Sequence, residues 1–513
     1  MKHFFKIFFV LILLLVFSSA WTASKQAGDK DYLAQVRAIR EKIKARLQQP
    51  VQQLDIDLIM ESSDFYGTLP DHVRWDSDGS RLWFQWKRWN EEELGTFEYI
   101  PPTGKLRRLD KDEAERVPSY TAVWDKARRQ AMWTVRDTVW LYDGEQKTSV
   151  PLVSGIGSTP PEPEYTAIGG ASMIFYSKIN PVLYVGSGAV EPVAFYPDGS
   201  KAVLFYDNNL FAVELESGKT NGLIKKLTNI KKGKAPEQEP PTPGQRYIKK
   251  EQLKLFDVLK RRHDRRNKEK TGAAQNQPAP FYLEGWTIYA MIPSADLAYC
   301  AVMLSRQADK ARVANIPNFI TVSGYTENIP AYAKAGDPLP QAKLGIIELA
   351  SGDMGWVDFG QEDREVEAYY VMWGPDNRRA LVTFTTMDSK DAYLGVLEPF
   401  IKKGEHISKI PVKILANEHD DAWVNPLTIV HFGWLPGGNR AWFVSERHGW
   451  MHLYSVSIKG GDVQPLTKGD YLVLCPRLTP DGKALIFYAS VPSPFEIQTY
   501  ILPLKKGKLQ QIT

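Results

Sequence analysis

Three short strings hold side chains suited to catalysis or ligand binding. His448 and His452 stand in "HGWMH", an H-x3-H spacing. On a helix that spacing places two imidazoles on one face, as a zinc site needs. Gly449 interrupts any helix there, a strand-like run begins near Met451, and no third ligand accompanies the pair. The string therefore reads as a structural hairpin corner. Glu418, His419, Asp420 and Asp421 form an acid–imidazole cluster that reads as a solvated loop, since a Ser-His-Asp relay needs a placed serine. Glu91, Glu92 and Glu93 lie between two strand-like runs and read as a solvated hairpin turn. Nucleophilic hydrolysis on an α/β scaffold would need a G-x-S-x-G elbow, where a strained turn presents the serine. None of the 513 residues forms one, and the nearest string, Gly170-Ala171-Ser172-Met173-Ile174, lacks the second glycine. No catalytic residue, metal or cofactor is assigned, and the chain alone is expected to be inactive.

The elements that would position these strings come as a repeat. "PRLTPDGKALIFYAS" (476–490) is an apolar stretch, a Pro-Asp-Gly corner and an alternating strand. Pro presets the first turn dihedral, Asp bonds locally and Gly takes the positive φ. Related units begin at Val73, Val193, Tyr370 and Phe432, with degenerate copies from Ala122 and Ala290. Aligned on the corner, the seven copies fall at 77, 126, 197, 294, 375, 436 and 480. The shortest separations suit the roughly 40–50 residues of a four-stranded propeller blade. The expected fold is all-β, a β-propeller of seven or eight blades, the eighth hidden in "MIFYSKINPVLYVG" (173–186). Trp75, Trp124, Trp373 and Trp434 flank corners, which suits packing between blades better than a carbohydrate platform.

Two stretches have helical periodicity instead. Residues 29–49 place Leu33, Val36, Ile43 and Leu47 on one face, within an N-terminal segment spanning 21–55. Residues 251–262 do the same with Leu253, Phe256 and Leu259, inside a Pro-flanked insertion at 229–280 that interrupts the propeller of 56–513. Arg246 to Lys270 carries eleven Lys/Arg against four Asp/Glu, while the whole chain has a net charge of only +4. Without a reader motif this is a solvated face, and no nucleic-acid partner is expected.

Lys2, His3 and Lys6 precede an apolar run from Ile7 to Ala20, closed by Ser18-Ser19-Ala20. That is the layout of a signal peptide over 1–20, so export to the periplasm or beyond is expected, with no stable membrane span after cleavage. An uncleaved N-terminal anchor is the alternative. Cys300 and Cys475 sit in apolar runs and read as buried free thiols rather than a disulfide.

With the repeat in place, Phe443–Val473 resembles the SER-x-G-x-x-H-L-Y … L-T-x-G segment of dipeptidyl peptidase IV propellers, in the prolyl oligopeptidase family of serine peptidases. "NEHDDAWVNP" (417–426), "SPFEIQTYILPL" (493–504) and "IPNFITVSGYTENIPAYAKAGDP" (316–338) resemble it too. The resemblance implies a propeller that screens an α/β-hydrolase domain and admits short peptides. It also implies a pair of Glu residues holding the substrate's ammonium. The only E-E-E run lies in the first unit, whereas the family motif lies in a later blade, which leaves Glu92 and Glu93 as weak substrate-binding candidates. Two expectations stand. One is a non-catalytic propeller that gates or scaffolds proteolysis. The other is part of a split or truncated peptidase whose hydrolase is encoded separately. The partner would be that hydrolase or a second copy of the chain.

Overall fold

The structure is a computed structural model. Short interruptions apart, it describes residues 70–154, 183–184, 190–234 and 278–513. The segments 1–55 and 235–277, which hold the signal segment and both expected helices, lie outside the described residues. The one helix among the described residues is α1 (Lys111–Glu115), capped by Asp110 and Glu113 in a reciprocal box.

Seven sheets follow one another along the chain, each built on an antiparallel meander of four strands, with two further strands added to the fourth sheet, and together they form a seven-bladed β-propeller. Their first strands are Asp71–Trp75, Val123–Trp124, Glu191–Phe195, Thr287–Pro293, Val366–Trp373, Phe432–Trp434 and Val473–Leu478. In a propeller the first strand of each blade lines the central channel. Among the described residues no eighth blade forms. Within 173–186 the described strand is Leu183–Tyr184, which pairs with Ala290 and Met291 on the first strand of blade four. That segment lacks the corner that starts a blade, so its strand joins an existing sheet instead.

The corner explains why these residues make this repeat. At all seven corners the residue before the turn donates its N–H to the carbonyl five residues on, and its own carbonyl accepts the N–H three residues on. Asp76, Asp125, Tyr196, Ser294, Gly374, Leu435 and Thr479 occupy that position. The fourth corner thus registers on Ala295, one residue past the alignment at Ser294. The turn's last position needs a positive φ. Gly79, Gly199, Gly438 and Gly482 supply it, and Arg128, Leu297 and Asn377 adopt it at φ 56°, 57° and 56°. Side chains there cost about 1 kcal/mol. Each is compensated: Arg128 lies 4.3 Å over the Trp124 ring, Leu297 is buried, and Asn tolerates the region.

Six apolar clusters weld consecutive blades. Trp83 meets Tyr142 between blades one and two, Met132 and Leu204 share the second seam, and Phe205 and Met291 the third. Met303 and Phe384, Tyr370 and Phe432, then Val444 and Phe487 continue the series. Alternation along each strand sends odd residues to one seam and even residues to the next. Trp434 is buried and Trp124 and Trp373 half-buried in seams between blades, while buried Trp75 packs within blade one against Leu82, Phe84 and Phe97.

Two excursions leave the meander. Ser408–Pro411, between the third and fourth strands of blade five, pairs in parallel with Met354–Asp358 on the outer edge of blade four. Asn315–Asn318 and Glu327–Pro330 form a hairpin between the second and third strands of blade four. The feet of the 229–280 insertion meet, Ile230 and Lys231 pairing with Phe281 and Tyr282. Cys300 is buried, Cys475 is half-buried, and both are free thiols.

Candidate functional site

A meander puts its turns alternately at its two ends. The seven corners lie at one end of the ring. The second-to-third connections and the links between blades lie at the other, here called the link end. The two ends differ in chemistry. Of the twelve large hydrophobic side chains exposed among the described residues, nine sit at the link end. Five belong to the blade-four hairpin: Ile316, Phe319, Ile320, Tyr325 and Ile329, with Phe319 74% and Ile320 92% exposed. Leu94, Trp450 and Phe495 lie on second-to-third connections of blades one, six and seven, and Trp423 on the link from blade five to blade six.

At the link end of blades five and six lies a polar network. Arg364 pairs with Asp391 and, at 2.7 Å, with Asp388, and its Nη2 donates to Thr386. His419 Nδ1 lies 2.8 Å from Asp391 Oδ1, and its Nε2 3.4 Å from Asp421. Burial works against ionising Asp391, but Arg364 and then His419 outweigh it and hold its carboxyl below the usual carboxylate range. In turn the hydrogen bond to Asp391, then that to Asp421, raises the His419 pKa. Next to it, Arg447 pairs with Glu418, donates its Nε to Ser445 at 2.9 Å and stacks 5.4 Å over Phe443 and over Tyr454. Asn425 donates to Glu446 at 2.8 Å. The network pins the blade-five turn, the five-to-six link and the blade-six turn to one another.

The sequence candidates distribute as follows. Glu418 and His419 enter this network as the last residues of a strand, while Asp420 accepts from the N–H groups of Ala422 and Trp423 as a turn cap. So half of the expected solvated loop is instead a strand end tied to neighbouring turns. His448 and His452 occupy the hairpin corner. His448 Nδ1 lies 2.8 Å from Tyr454 Oη, and buried His452 bonds Thr467 through Nδ1 and the Gly469 carbonyl through Nε2. Glu93 is exposed at the link end of blade one, while Glu91, Glu92 and Ser172 lie outside the described residues. Sequence reading missed Arg364, Asp388, Asp391 and the pairing of Arg447 with Glu418. The partners come from separate segments, and only the S-E-R string carried a signal.

The channel side of the link end is shaped by bulges. The first strands of blades one, three, four, five and seven each slip register near their starts. In blade five the slip turns Tyr369 outward, 40% exposed, beside half-buried Glu367, whose carboxyl burial pushes up. At the start of blade six His431 is 3% exposed, and burial with the nearby Arg477 charge pushes its pKa down to about 4. The imidazole is thus neutral in the fold while the unfolded chain titrates near 6.5. Between those values the unfolded state binds more protons, so stability falls as pH drops from about 6.5 to about 4 and is fully present above that window. Urea midpoints at pH 7.5 and 4.5 should differ for the natural chain, and His431→Gln should shrink the difference. An unchanged pH dependence in the variant would remove His431 as a contributor.

Residues 302–513 match the family model described as "Dipeptidyl peptidase IV (DPP IV) N-terminal region". The protein named "Probable dipeptidyl peptidase 4" of Emericella nidulans is 28% identical over 169 residues, which cover 31% of this chain and 21% of the relative. The protein of the same name from Aspergillus flavus is 25% identical over 218 residues, 39% of this chain and 27% of that protein. The crystal structure of Porphyromonas gingivalis dipeptidyl peptidase 4 superposes with a TM-score of 0.52 at 16% identity, covering 90% of this chain and 56% of that one. The chain thus spans about half the length of that solved relative, and about a quarter or less of the fungal proteins is matched.

Proposed function

We propose that this chain carries the N-terminal β-propeller of a dipeptidyl peptidase IV-like serine peptidase and acts as a gating and docking module which cuts no bond itself. Its link end meets an α/β-hydrolase unit, in the same polypeptide or separately encoded, and the ring screens what reaches that unit. The observation that carries this reading is the crowding of nine of twelve exposed large hydrophobics onto one end of the ring. Exposed apolar surface of that concentration marks an interaction face, and an inter-domain face of this kind buries about 600–1,500 Å². At blades five and six the polar network ties the turns of that end to one another. The N-terminal apolar run from Ile7 to Ala20 supports action outside the cytoplasm.

The test is co-expression with the α/β-hydrolase unit encoded in the same gene or beside it. The two units should co-elute, and Phe319→Asp with Ile320→Asp should separate them while leaving the propeller folded. The propeller alone should neither hydrolyse Xaa-Pro chromogenic dipeptides nor take a fluorophosphonate label. Stoichiometric labelling of the propeller, or co-elution untouched by the double substitution, would sink the reading. The hairpin alone supports a second reading, a self-associating scaffold, because five of the nine exposed side chains lie on it. Sedimentation of the same variant separates the two: a loss of self-association without any hydrolase present favours the scaffold.

A further inference from the structure

Half-buried guanidinium groups in this fold have partners, with one exception among the described residues. Arg81 pairs with Asp76 and Glu98, Arg107 with Glu98, Arg364 with Asp391, Arg379 with Asp376 and Arg447 with Glu418. Arg74, on the first strand of blade one, has no carboxylate but gives its Nε to the Pro118 carbonyl and its Nη1 to the His72 carbonyl. Arg477, on the first strand of blade seven, is half-buried and makes neither a hydrogen bond nor an ion pair among the described residues. A guanidinium has five donors and no acceptor, and withdrawing it from water without an acceptor is costly.

The backbone explains how it comes to stand there. The first strand of blade seven slips register between Leu474 and Arg477, with Cys475 at φ 49°. Arg477 lies across from Ile486, and Leu474 across from Tyr488. Leu485, Phe487 and Ala489 face the seam with blade six. Alternation therefore puts Ile486 and Tyr488, and with them Arg477, on the opposite face of the blade. Tyr488, two residues along from Ile486, is the diagonal neighbour of Arg477 on that face, and its phenol and the Cys475 thiol are the groups whose charge couples to the guanidinium. Burial pushes Tyr488 up to about 12, so its hydroxyl stays a donor at neutral pH. The neighbourhood thus offers a cation and a phenol O–H, and no carboxylate answers them.

We propose that Arg477 and Tyr488 form a carboxylate-binding site at the channel side of blade seven, which takes the free C-terminal carboxylate of a short peptide. A planar guanidinium holds a carboxylate with two parallel hydrogen bonds, and the phenol adds a third from the side. Free small carboxylic acids share this chemistry. The experiment separates the two sources and uses this chain without any hydrolase, so its outcome is independent of the docking reading. The probes are the tripeptide Ala-Pro-Ala, its C-terminal amide and sodium acetate, measured by titration calorimetry. The free acid should bind about tenfold or more tighter than the amide, the difference expected for one charge-assisted pair. Arg477→Gln should abolish that preference, Arg477→Lys should keep part of it, and Tyr488→Phe should weaken it. Because Arg477→Gln removes an unanswered charge, its thermal midpoint should not fall below that of the natural chain. A fallen midpoint would make Arg477 a structural residue and overturn the site. So would equal binding of acid and amide, absence of binding, or a preference that survives Arg477→Gln. Acetate matching the tripeptide would overturn the peptide as the source.

Discussion

Trp434→Ala should lower the unfolding free energy by about 3–5 kcal/mol, the usual cost of emptying a large aromatic from a core. Trp434 ends the first strand of blade six and is 8% exposed. It packs among Tyr370, Phe432, Phe443 and Tyr454, and its indole N–H crosses the seam to the Met372 carbonyl at 3.0 Å. Gly374 lets the ring in, since a Cβ there would lie 3.0 Å from Trp434 Cζ2. The Arg379 guanidinium covers the ring 5.7 Å from its centroid. The same lock recurs one blade earlier, where Trp373 donates to the Ile292 carbonyl at 2.8 Å. The check is the urea midpoint followed by fluorescence, with Trp434→Phe as the companion. That variant keeps most of the volume and loses the bond, so it should cost about 1–2 kcal/mol. Equal effects of the two substitutions would mean that the ring's volume matters little at this seam.

Asp76→Ala should cost about 3 kcal/mol, the low end for removing one partner of a buried ion pair, because the cations it leaves are partly solvated. Asp76 opens the first corner, and its side chain is fully withdrawn from water. Its Oδ2 lies 3.1 Å from both Arg81 Nε and Lys147 Nζ in ion pairs, and its Oδ1 accepts the Tyr142 hydroxyl at 2.6 Å and the Ser77 N–H at 2.7 Å. Arg81 belongs to the first corner of blade one and Tyr142 to a strand of blade two, so the carboxylate fastens blade one to blade two. Tyr142→Phe should cost less, about 1 kcal/mol, as it removes one hydrogen bond from that carboxylate. Thermal unfolding of both variants decides the order, and a larger loss from Tyr142→Phe would contradict the assignment.

The repeat was legible because corner chemistry is local. Pro-Asp-Gly needs no distant partner to signal a turn, so five corners stood out at once. The degenerate copies were harder. Arg128 and Leu297 hold a glycine's dihedral through packing that a single sequence does not display, and at Ser294 the missing glycine let the alignment slip by one residue. The apolar run at 173–186 suggested another blade, yet a strand's sheet is decided by which edge is open to it, which is a tertiary matter. Of the site, only the S-E-R string and the acidic cluster at 418–421 were visible. The Arg364–Asp391–His419 network joins residues 55 positions apart through three turns that meet only once blades five and six have formed. Arg477 was invisible as a site residue, because an arginine without an acceptor has no sequence signature.

The Ser408–Pro411 strand also bears on how the nascent chain assembles. A propeller whose blades were each complete in themselves could lay them down one at a time as the polypeptide leaves the ribosome, each new seam closing on a finished sheet. Here the outer edge of blade four waits for a strand emitted only after the third strand of blade five, and that strand is followed at once by the fourth strand of blade five at Lys413. Blades four and five therefore finish together, about fifty residues of translation after blade four's own last strand at Asp358. Until then the Met354–Asp358 backbone presents unpaired N–H and C=O groups, the kind of open edge that neighbouring chains can capture. A pause in synthesis over that interval would lengthen the exposure, and chaperone demand in biogenesis should be greatest there.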